Sequence, residues 1–123
     1  MIFGIGTDIV AIERIQKAVN KNPRFAHKVL GMQEYQIYEK RNYNTAFLAK
    51  RFAAKEACAK ALGIGFRFPI TWHDLQIISC SLGKPQFLFS GNLLIFINQH
   101  NYTCHVSLSD EKRYAVAYVI IEK

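Results

Sequence analysis

One helical segment carries the residues of this chain that are best suited to chemistry. Residues 51–63 read Arg-Phe-Ala-Ala-Lys-Glu-Ala-Cys-Ala-Lys-Ala-Leu-Gly, a run of strong helix formers that ends at a glycine. Glu56 and Lys60 are four residues apart and share one helix face, with Arg51 and Lys55 on an adjoining face. A carboxylate beside several cations can hold a divalent metal ion and neutralise phosphate oxygens around it. The alternative is a solvated helix with ordinary surface salt bridges.

A second carboxylate follows the first predicted strand. Residues 2–5 are apolar and end at Gly6, and Asp8 comes soon after. Asp8 has two interpretations: it caps a helix that begins at residues 9–11, or it joins Glu56 as a ligand of a hard cation. Magnesium usually takes only one or two protein carboxylates and completes its shell with water and substrate phosphate, so two acids would suffice.

Basic residues recur along one side of the next segment. Residues 11–20 have helical period, with an apolar stripe on one face. Cations occupy the other face and continue beyond Pro23, where we expect the helix to break. This basic stripe consists of Arg14, Lys17, Lys21, Arg24 and Lys28. It is either a solvated face or a docking surface for an acidic partner.

Two further places carry polar residues with less specific patterns. His105 and Ser107 alternate on one face of a predicted strand. They are either the wet side of an edge strand or hydrogen-bond donors to a phosphate or ribose. Lys84 stands between Gly83 and Pro85 in a predicted hairpin turn, where a lysine ordinarily faces solvent.

Composition restricts the class of protein and the class of partner. The 123 residues, half of them apolar and a fifth charged, predict one folded domain, 1–123. The net charge of +7 predicts an anionic partner without identifying it. No signal peptide is evident, and no apolar stretch is long enough to cross a bilayer. We therefore expect a cytoplasmic protein without membrane insertion, whose three cysteines are small buried hydrophobes.

The predicted elements place these residues in an α+β domain. Helices are predicted at 11–20, 32–41, from Asn44 or Thr45 to about 62, and at 91–99. Strands are predicted at 2–5, 75–80, 86–89, 103–109 and 114–121, the last two forming a hairpin. An aromatic-rich loop is predicted at 64–74. This order indicates an antiparallel sheet with helices packed against it.

Four segments carry a family resemblance when they are read together. They are Gly-Ile-Gly-Thr-Asp-Ile-Val at 4–10 with Glu-Arg-Ile at 13–15, Arg-Phe-Ala-Ala-Lys-Glu-Ala at 51–57 with Lys-Ala-Leu-Gly at 60–63, Gly-Lys-Pro at 83–85, and His-Val-Ser-Leu-Ser at 105–109. In this order and spacing they resemble the holo-acyl-carrier-protein synthases, the 4′-phosphopantetheinyl transferases that activate acyl carrier proteins. The first two segments are specific as a pair. One departure is Asp110, where these enzymes often have histidine.

The resemblance implies a reaction and roles for named residues. Phosphopantetheine is transferred from coenzyme A to a serine of the apo carrier protein, and adenosine 3′,5′-bisphosphate is released. Asp8 and Glu56 would hold Mg²⁺, and Lys60 would neutralise the leaving phosphate. Either Glu56 or a metal-bound water would accept the serine proton. The residues implied to bind coenzyme A are Arg51, Lys60, Gly63, Lys84, Pro85 and His105.

The resemblance also implies partners. The basic stripe would dock the acidic carrier protein, and no nucleic acid is expected to bind. Short members of the family are homotrimers with active sites at subunit interfaces. Two other classes stay open on the sequence: an RNA-binding module whose aromatic residues stack on bases, and a relative that binds coenzyme A or carrier protein without transfer. The first gives no reason for Asp8 and Glu56, and the second could dispense with both acids.

Overall fold

Five strands and five helices make up the chain, and the computed structural model describes all of residues 1–123. Their order is β1 (Ile2–Ala11), α1 (Ile12–Lys21), α2 (Phe25–Val29), α3 (Met32–Lys40), α4 (Thr45–Leu62), β2 (Leu75–Ser79), β3 (Pro85–Phe89), α5 (Gly91–Gln99), β4 (Thr103–Asp110) and β5 (Tyr114–Glu122). The predicted α+β class and the predicted aromatic-rich loop between α4 and β2 are confirmed. None of the helices has both the length and the apolar character needed to cross a membrane.

The strands form two antiparallel sheets rather than the single sheet that we expected. The larger sheet has the order β1-β5-β4, and β2 pairs only with β3. β5 is central, so that Tyr118 pairs with Thr7 on one side and with Ser107 on the other. The predicted hairpin of β4 and β5 is confirmed.

α4 is the helix around which the core is built. Asn44 caps it by accepting a hydrogen bond from the Phe47 amide at 2.8 Å, and Gly63 ends it with a φ of 80°. Twelve of its 18 residues are buried, most of them alanine or other apolar residues. α4 is therefore covered on nearly every side.

β1 approaches α4 unusually closely. A Cβ atom at Gly4 would lie 2.1 Å from the carbonyl oxygen of Ala61, and one at Gly6 would lie 2.0 Å from that of Ala57. Real Cβ atoms do not come this near to another atom, so both positions require glycine. The close approach brings the side chain of Asp8, the next residue on this face of β1, against α4.

β1 is also longer than predicted, which corrects one interpretation of Asp8. The strand was expected to end at Gly6, but it pairs with β5 as far as Ala11. Asp8 therefore lies inside the strand, and no side chain caps α1, whose preceding residue is Ala11. The apolar residues that follow Asp8 keep the strand in register with the apolar β5. The interpretation of Asp8 as a helix cap is wrong.

A buried ion pair corrects the expected position of Lys55. Its Nζ donates to Glu34 Oε1 at 2.6 Å, to the carbonyl oxygen of Val29 at 2.5 Å and to that of Trp72 at 2.8 Å. The other carboxylate oxygen of Glu34 accepts from the amide of Ile77 at 2.8 Å. Lys55 is fully buried, so it does not belong to a surface cation cluster with Arg51.

Candidate functional site

Asp8 and Lys60 meet where β1 crosses α4, although they are 52 positions apart in the sequence. Lys60 Nζ lies 3.1 Å from Asp8 Oδ1 and 3.0 Å from the carbonyl oxygen of Thr7. The Asp8 side chain is only 17% exposed, whereas that of Lys60 is 56% exposed. An ammonium has three N–H donors, so one remains for a ligand in solvent.

Glu56 lies on the same side of α4, one turn before Lys60. Partial burial raises the pKa of its carboxyl, and the Asp8 carboxylate raises this pKa further, while the charges of Lys60 and Arg14 lower it. Asp8 and Glu56, here called the acid pair, are therefore close enough to repel each other. The structure brings together the three predicted catalytic residues.

The acid pair fits a small divalent cation. Two partly buried carboxylates of like charge are stabilised by a cation between them, and their oxygens are the ligands that Mg²⁺ prefers. No group of three or more His, Cys, Asp or Glu side chains is placed to hold a metal ion. Water and substrate oxygens would have to complete the shell, as Mg²⁺ usually requires.

A second candidate site is a cavity of about 230 Å³ between α4, β4 and the β2–β3 turn. Three cations, Arg41, Lys50 and Arg51, contribute to its wall together with Gly83 and Pro85. We call it the cationic cavity. Neither Arg41 nor Lys50 was predicted as a site residue. The adjacency of Lys50 to Arg51 was the only sequence signal, since Arg41 lies before α4 and reaches the cavity only in the folded chain.

Arg51 is the least solvated of these cations. It is 5% exposed, and its Nε has no hydrogen-bond partner. Its guanidinium carbon lies 4.3 Å from the ring centroid of Phe47, and that of Arg41 lies 5.3 Å from the same centroid. Burial lowers the pKa of Arg51 to about 10, with Glu34 raising it and Arg41 lowering it further. A buried, incompletely bonded cation beside another cation favours an anionic ligand.

The remaining predicted coenzyme A residues are dispersed. Pro85 lines the cationic cavity, and Lys84 is exposed beside it at the β2–β3 turn. Gly63 lies just beyond Lys60 at the end of α4. His105 lies elsewhere: its Nε2 is 2.6 Å from Glu122 Oε1, and both side chains are about half exposed. Within one chain, His105 joins neither the acid pair nor the cationic cavity.

The cationic cavity and the acid pair face different sides of α4. Arg51 is five residues from Glu56 and nine from Lys60, which in an α-helix corresponds to rotations of about 140° and 180° and rises of about 7.5 and 13.5 Å. A phosphate in the cavity is therefore remote from the Lys60 ammonium of the same chain.

The basic stripe is exposed over its whole length, from Arg14 on α1 to Lys28 on α2. Lys17 forms an exposed ion pair with Glu13 at 3.3 Å. Arg14 is near enough to Glu56 to lower the pKa of its carboxyl. One end of the stripe therefore adjoins the acid pair.

One face of the larger sheet packs on α4, and the other is uncovered and carries several exposed apolar side chains. Ile5 is 58%, Ile9 63% and Tyr118 44% exposed. These residues share a face because strand side chains alternate. We call this the uncovered sheet face. His105 lies on it, since His105 pairs with Ile120, which pairs in turn with Ile5.

Comparisons with known proteins agree with the resemblance in the sequence. A family model described as the 4′-phosphopantetheinyl transferase superfamily matches residues 4–119. A holo-[acyl-carrier-protein] synthase of Herminiimonas arsenicoxydans is 46% identical over 100% of this chain and 99% of that protein. The match to the crystal structure of holo-[acyl-carrier-protein] synthase from Neisseria meningitidis covers 100% of both chains, with a TM-score of 0.95 and 38% sequence identity. A second crystal structure is that of a holo-(acyl-carrier-protein) synthase from Bacillus anthracis in complex with CoA (3′,5′-ADP). This match covers 100% of our chain and 98% of the Bacillus chain, with a TM-score of 0.84 and 34% sequence identity.

Proposed function

The chain belongs to the 4′-phosphopantetheinyl transferase superfamily, and we propose that it is a holo-[acyl-carrier-protein] synthase, formed by a single domain of residues 1–123. It transfers 4′-phosphopantetheine from coenzyme A to a serine of apo acyl carrier protein. The observation that carries the proposal is the convergence of Asp8, Glu56 and Lys60 in a chain that is similar to these synthases over its full length.

In this reaction the serine oxygen forms a bond to the phosphorus that bears the pantetheine arm. The bond from that phosphorus to the bridging oxygen of the pyrophosphate breaks, and its electron pair leaves with adenosine 3′,5′-bisphosphate. Lys60 stabilises the developing negative charge on the leaving phosphate with the N–H that Asp8 and Thr7 do not use. We assign acceptance of the serine proton to Glu56, a partly buried carboxylate one helical turn before Lys60.

We propose that Asp8 and Glu56 also hold Mg²⁺. The support is their mutual repulsion, their partial burial and their oxygen chemistry. A bound Mg²⁺ ion would neutralise pyrophosphate oxygens of coenzyme A. Asp8 in addition orients Lys60 through their ion pair.

The nucleotide end of coenzyme A carries a further phosphate, on the 3′ position of its ribose, and we assign this group to the cationic cavity. Arg51 supplies the buried cation, and Pro85 and Lys84 belong to the turn that closes one side. His105 and Gly63 are proposed as additional contacts of the nucleotide.

The separation of these sites supports active sites between subunits, and we propose a homotrimer because short members of the resembling family are trimers. The pyrophosphate and the 3′-phosphate are attached to one ribose, so they cannot reach different sides of one α4 together. A cavity from one chain and an acid pair from a neighbouring chain could serve one coenzyme A molecule. The uncovered sheet face, which carries His105, is the surface we assign to contact with further copies of this chain.

The basic stripe is assigned to docking of the acidic carrier protein. It is exposed, it is continuous from α1 to α2, and it begins beside Glu56. The anionic partners that the net charge predicts are then the nucleotide and the carrier protein rather than a nucleic acid. We also propose a cytoplasmic location, because the three cysteines are free thiols. Only Cys58 is buried, so the expectation that all three are buried is wrong for Cys80 and Cys104, which are partly exposed.

An intact-mass assay tests the proposal. Apo acyl carrier protein, coenzyme A and Mg²⁺ are incubated with this protein, with and without a chelator. We expect the carrier to gain one phosphopantetheine group and the chelator to prevent the gain. Absence of the gain, with a carrier and coenzyme A that a known synthase can use, would contradict the proposed function. A gain that resists the chelator would contradict the metal assignment alone.

A further inference from the structure

Asp110 touches the cationic cavity through Lys50. Lys50 Nζ lies 3.1 Å from Asp110 Oδ1, and their side chains are 23% and 35% exposed, respectively. Asp110 ends β4 and pairs with the buried Ala115, so it lies on the face of β4 that meets α4. Lys50 itself lines the cavity. Lys50 therefore belongs to the cavity wall, and Asp110 contacts Lys50 without lining the cavity itself.

The pair sets how much positive charge a ligand meets. Without Asp110, the wall would present the three cations Arg41, Lys50 and Arg51. The charge of Glu34 also raises the pKa of Arg51, but Glu34 already forms an ion pair with the buried Lys55. Asp110 is therefore the acid that offsets Lys50.

Asp110 has two opposing effects on a phosphate in the cavity. It restrains Lys50, whose ammonium keeps further N–H donors for the ligand. It also repels the phosphate, and this repulsion acts on each charge of a phosphomonoester, which carries nearly two at neutral pH. Because the Asp110 side chain is 35% exposed, solvent screens part of this repulsion. We expect the repulsion to be the larger effect.

We propose that Asp110 lowers the affinity of the cavity for the 3′-phosphate of the nucleotide, and that its ion pair with Lys50 limits this effect. The inference rests on the proposed function, which supplies the nucleotide.

Calorimetric binding of adenosine 3′,5′-bisphosphate and of adenosine 5′-monophosphate to the full chain tests the inference. Asp110→Asn keeps the size and removes the charge, and we expect it to bind the bisphosphate about tenfold more tightly. Binding of the monophosphate, which lacks the 3′ group, should change less than about threefold. Asp110→Ser provides a second uncharged variant, and thermal melting checks that both are folded. Glu111→Gln is the matched control, because it removes a charge from the same turn without touching Lys50.

A second comparison tests whether the ion pair with Lys50 limits the effect of Asp110. Lys50→Met should bind the bisphosphate about tenfold more weakly. In that background Asp110 is no longer neutralised, so Asp110→Asn should improve binding by more than it does in the wild type. Equal improvements in the two backgrounds would show that Asp110 acts independently of Lys50 and would contradict the inference.

The outcomes separate this inference from the proposed function. Failure of the wild type to modify carrier protein contradicts the proposed function. If the wild type is active but binds the two nucleotides equally, the assignment of the 3′-phosphate to the cationic cavity is wrong, and the inference about Asp110 fails with it. If folded Asp110→Asn binds the bisphosphate no more tightly, only the inference about Asp110 is wrong.

Discussion

The ammonium of Lys55 lies 2.6 Å from a carboxylate oxygen of Glu34, and both side chains are completely buried. The pair joins α4 to α3 in the interior of the protein. Burial lowers the pKa of Lys55, and the Glu34 carboxylate opposes this shift. The same helix carries Glu56 and Lys60, so the buried pair helps to fix the helix on which the proposed chemistry depends.

Lys55→Met should destabilise the protein strongly. It leaves the Glu34 carboxylate buried without its counter-ion, so we expect the free energy of unfolding to fall by about 3–5 kcal/mol. Urea unfolding followed by circular dichroism measures the change. Lys40→Met, at the exposed end of α3, is the control and should change stability by less than about 0.5 kcal/mol. A Lys55→Met protein as stable as the control would contradict the stabilising role of the pair.

Glu56→Gln should abolish transfer and leave the fold intact. The amide keeps the size of the side chain but loses the charge, so it neither accepts the serine proton nor balances a cation. We expect the rate of transfer to fall at least about 10²-fold. Titration with labelled apo carrier protein should show docking largely unchanged, since the basic stripe is untouched. Glu39→Gln, on the exposed part of α3, should remain fully active. Undiminished transfer by Glu56→Gln would remove Glu56 from the mechanism.

Reversing two charges of the basic stripe should weaken the use of carrier protein. In Arg14→Glu/Arg24→Glu we expect the KM for carrier protein to rise by roughly tenfold or more, because attraction becomes repulsion. The KM for coenzyme A should change little. Steady-state kinetics at two salt concentrations provide the measurement, and the wild-type KM should rise with salt. Lys112→Glu is the control outside the stripe. An unchanged carrier KM in the double variant would show that the carrier docks elsewhere.

Ile9→Glu should disrupt the proposed trimer. Ile9 is 63% exposed in the single chain, so a glutamate there is tolerated by the fold but costly when buried between subunits. Light scattering after gel filtration should show trimers for the wild type and monomers for the variant, with transfer lost in parallel. Leu94→Glu, on an exposed part of α5, should stay trimeric. A wild-type monomer with full activity would contradict the interfacial active site.

Local sequence patterns predicted the helices well because their limits are set by nearby residues. Asn44 caps α4 and Gly63 ends it, as the sequence indicated. The strand boundary at Gly6 was misplaced for a physical reason. A glycine after an apolar run usually ends a strand, whereas here Gly6 makes room for α4 inside a longer one.

The candidate site could be predicted only where the resemblance reached. Asp8, Glu56 and Lys60 were predicted together, and the structure brings them together. The burial of Lys55 was missed, because its partner Glu34 lies on another helix and no local pattern links the two. The pairing of Lys50 with Asp110 was missed for the same reason. Such pairings depend on how distant elements pack, which helical and strand periodicity do not report.

The two glycines of β1 give the proposed site a sensitivity that its polar residues do not reveal. Adding a single methyl group at Gly4 or Gly6 would place it about 2 Å from a carbonyl oxygen of α4, so the strand would have to move outward. That movement would lengthen the gap between Asp8 and Lys60, now 3.1 Å. The distance between the Asp8 carboxylate and the Lys60 ammonium therefore depends on two positions that bear no side chain. Even alanine at either position would push β1 away from α4 and separate the two charged groups.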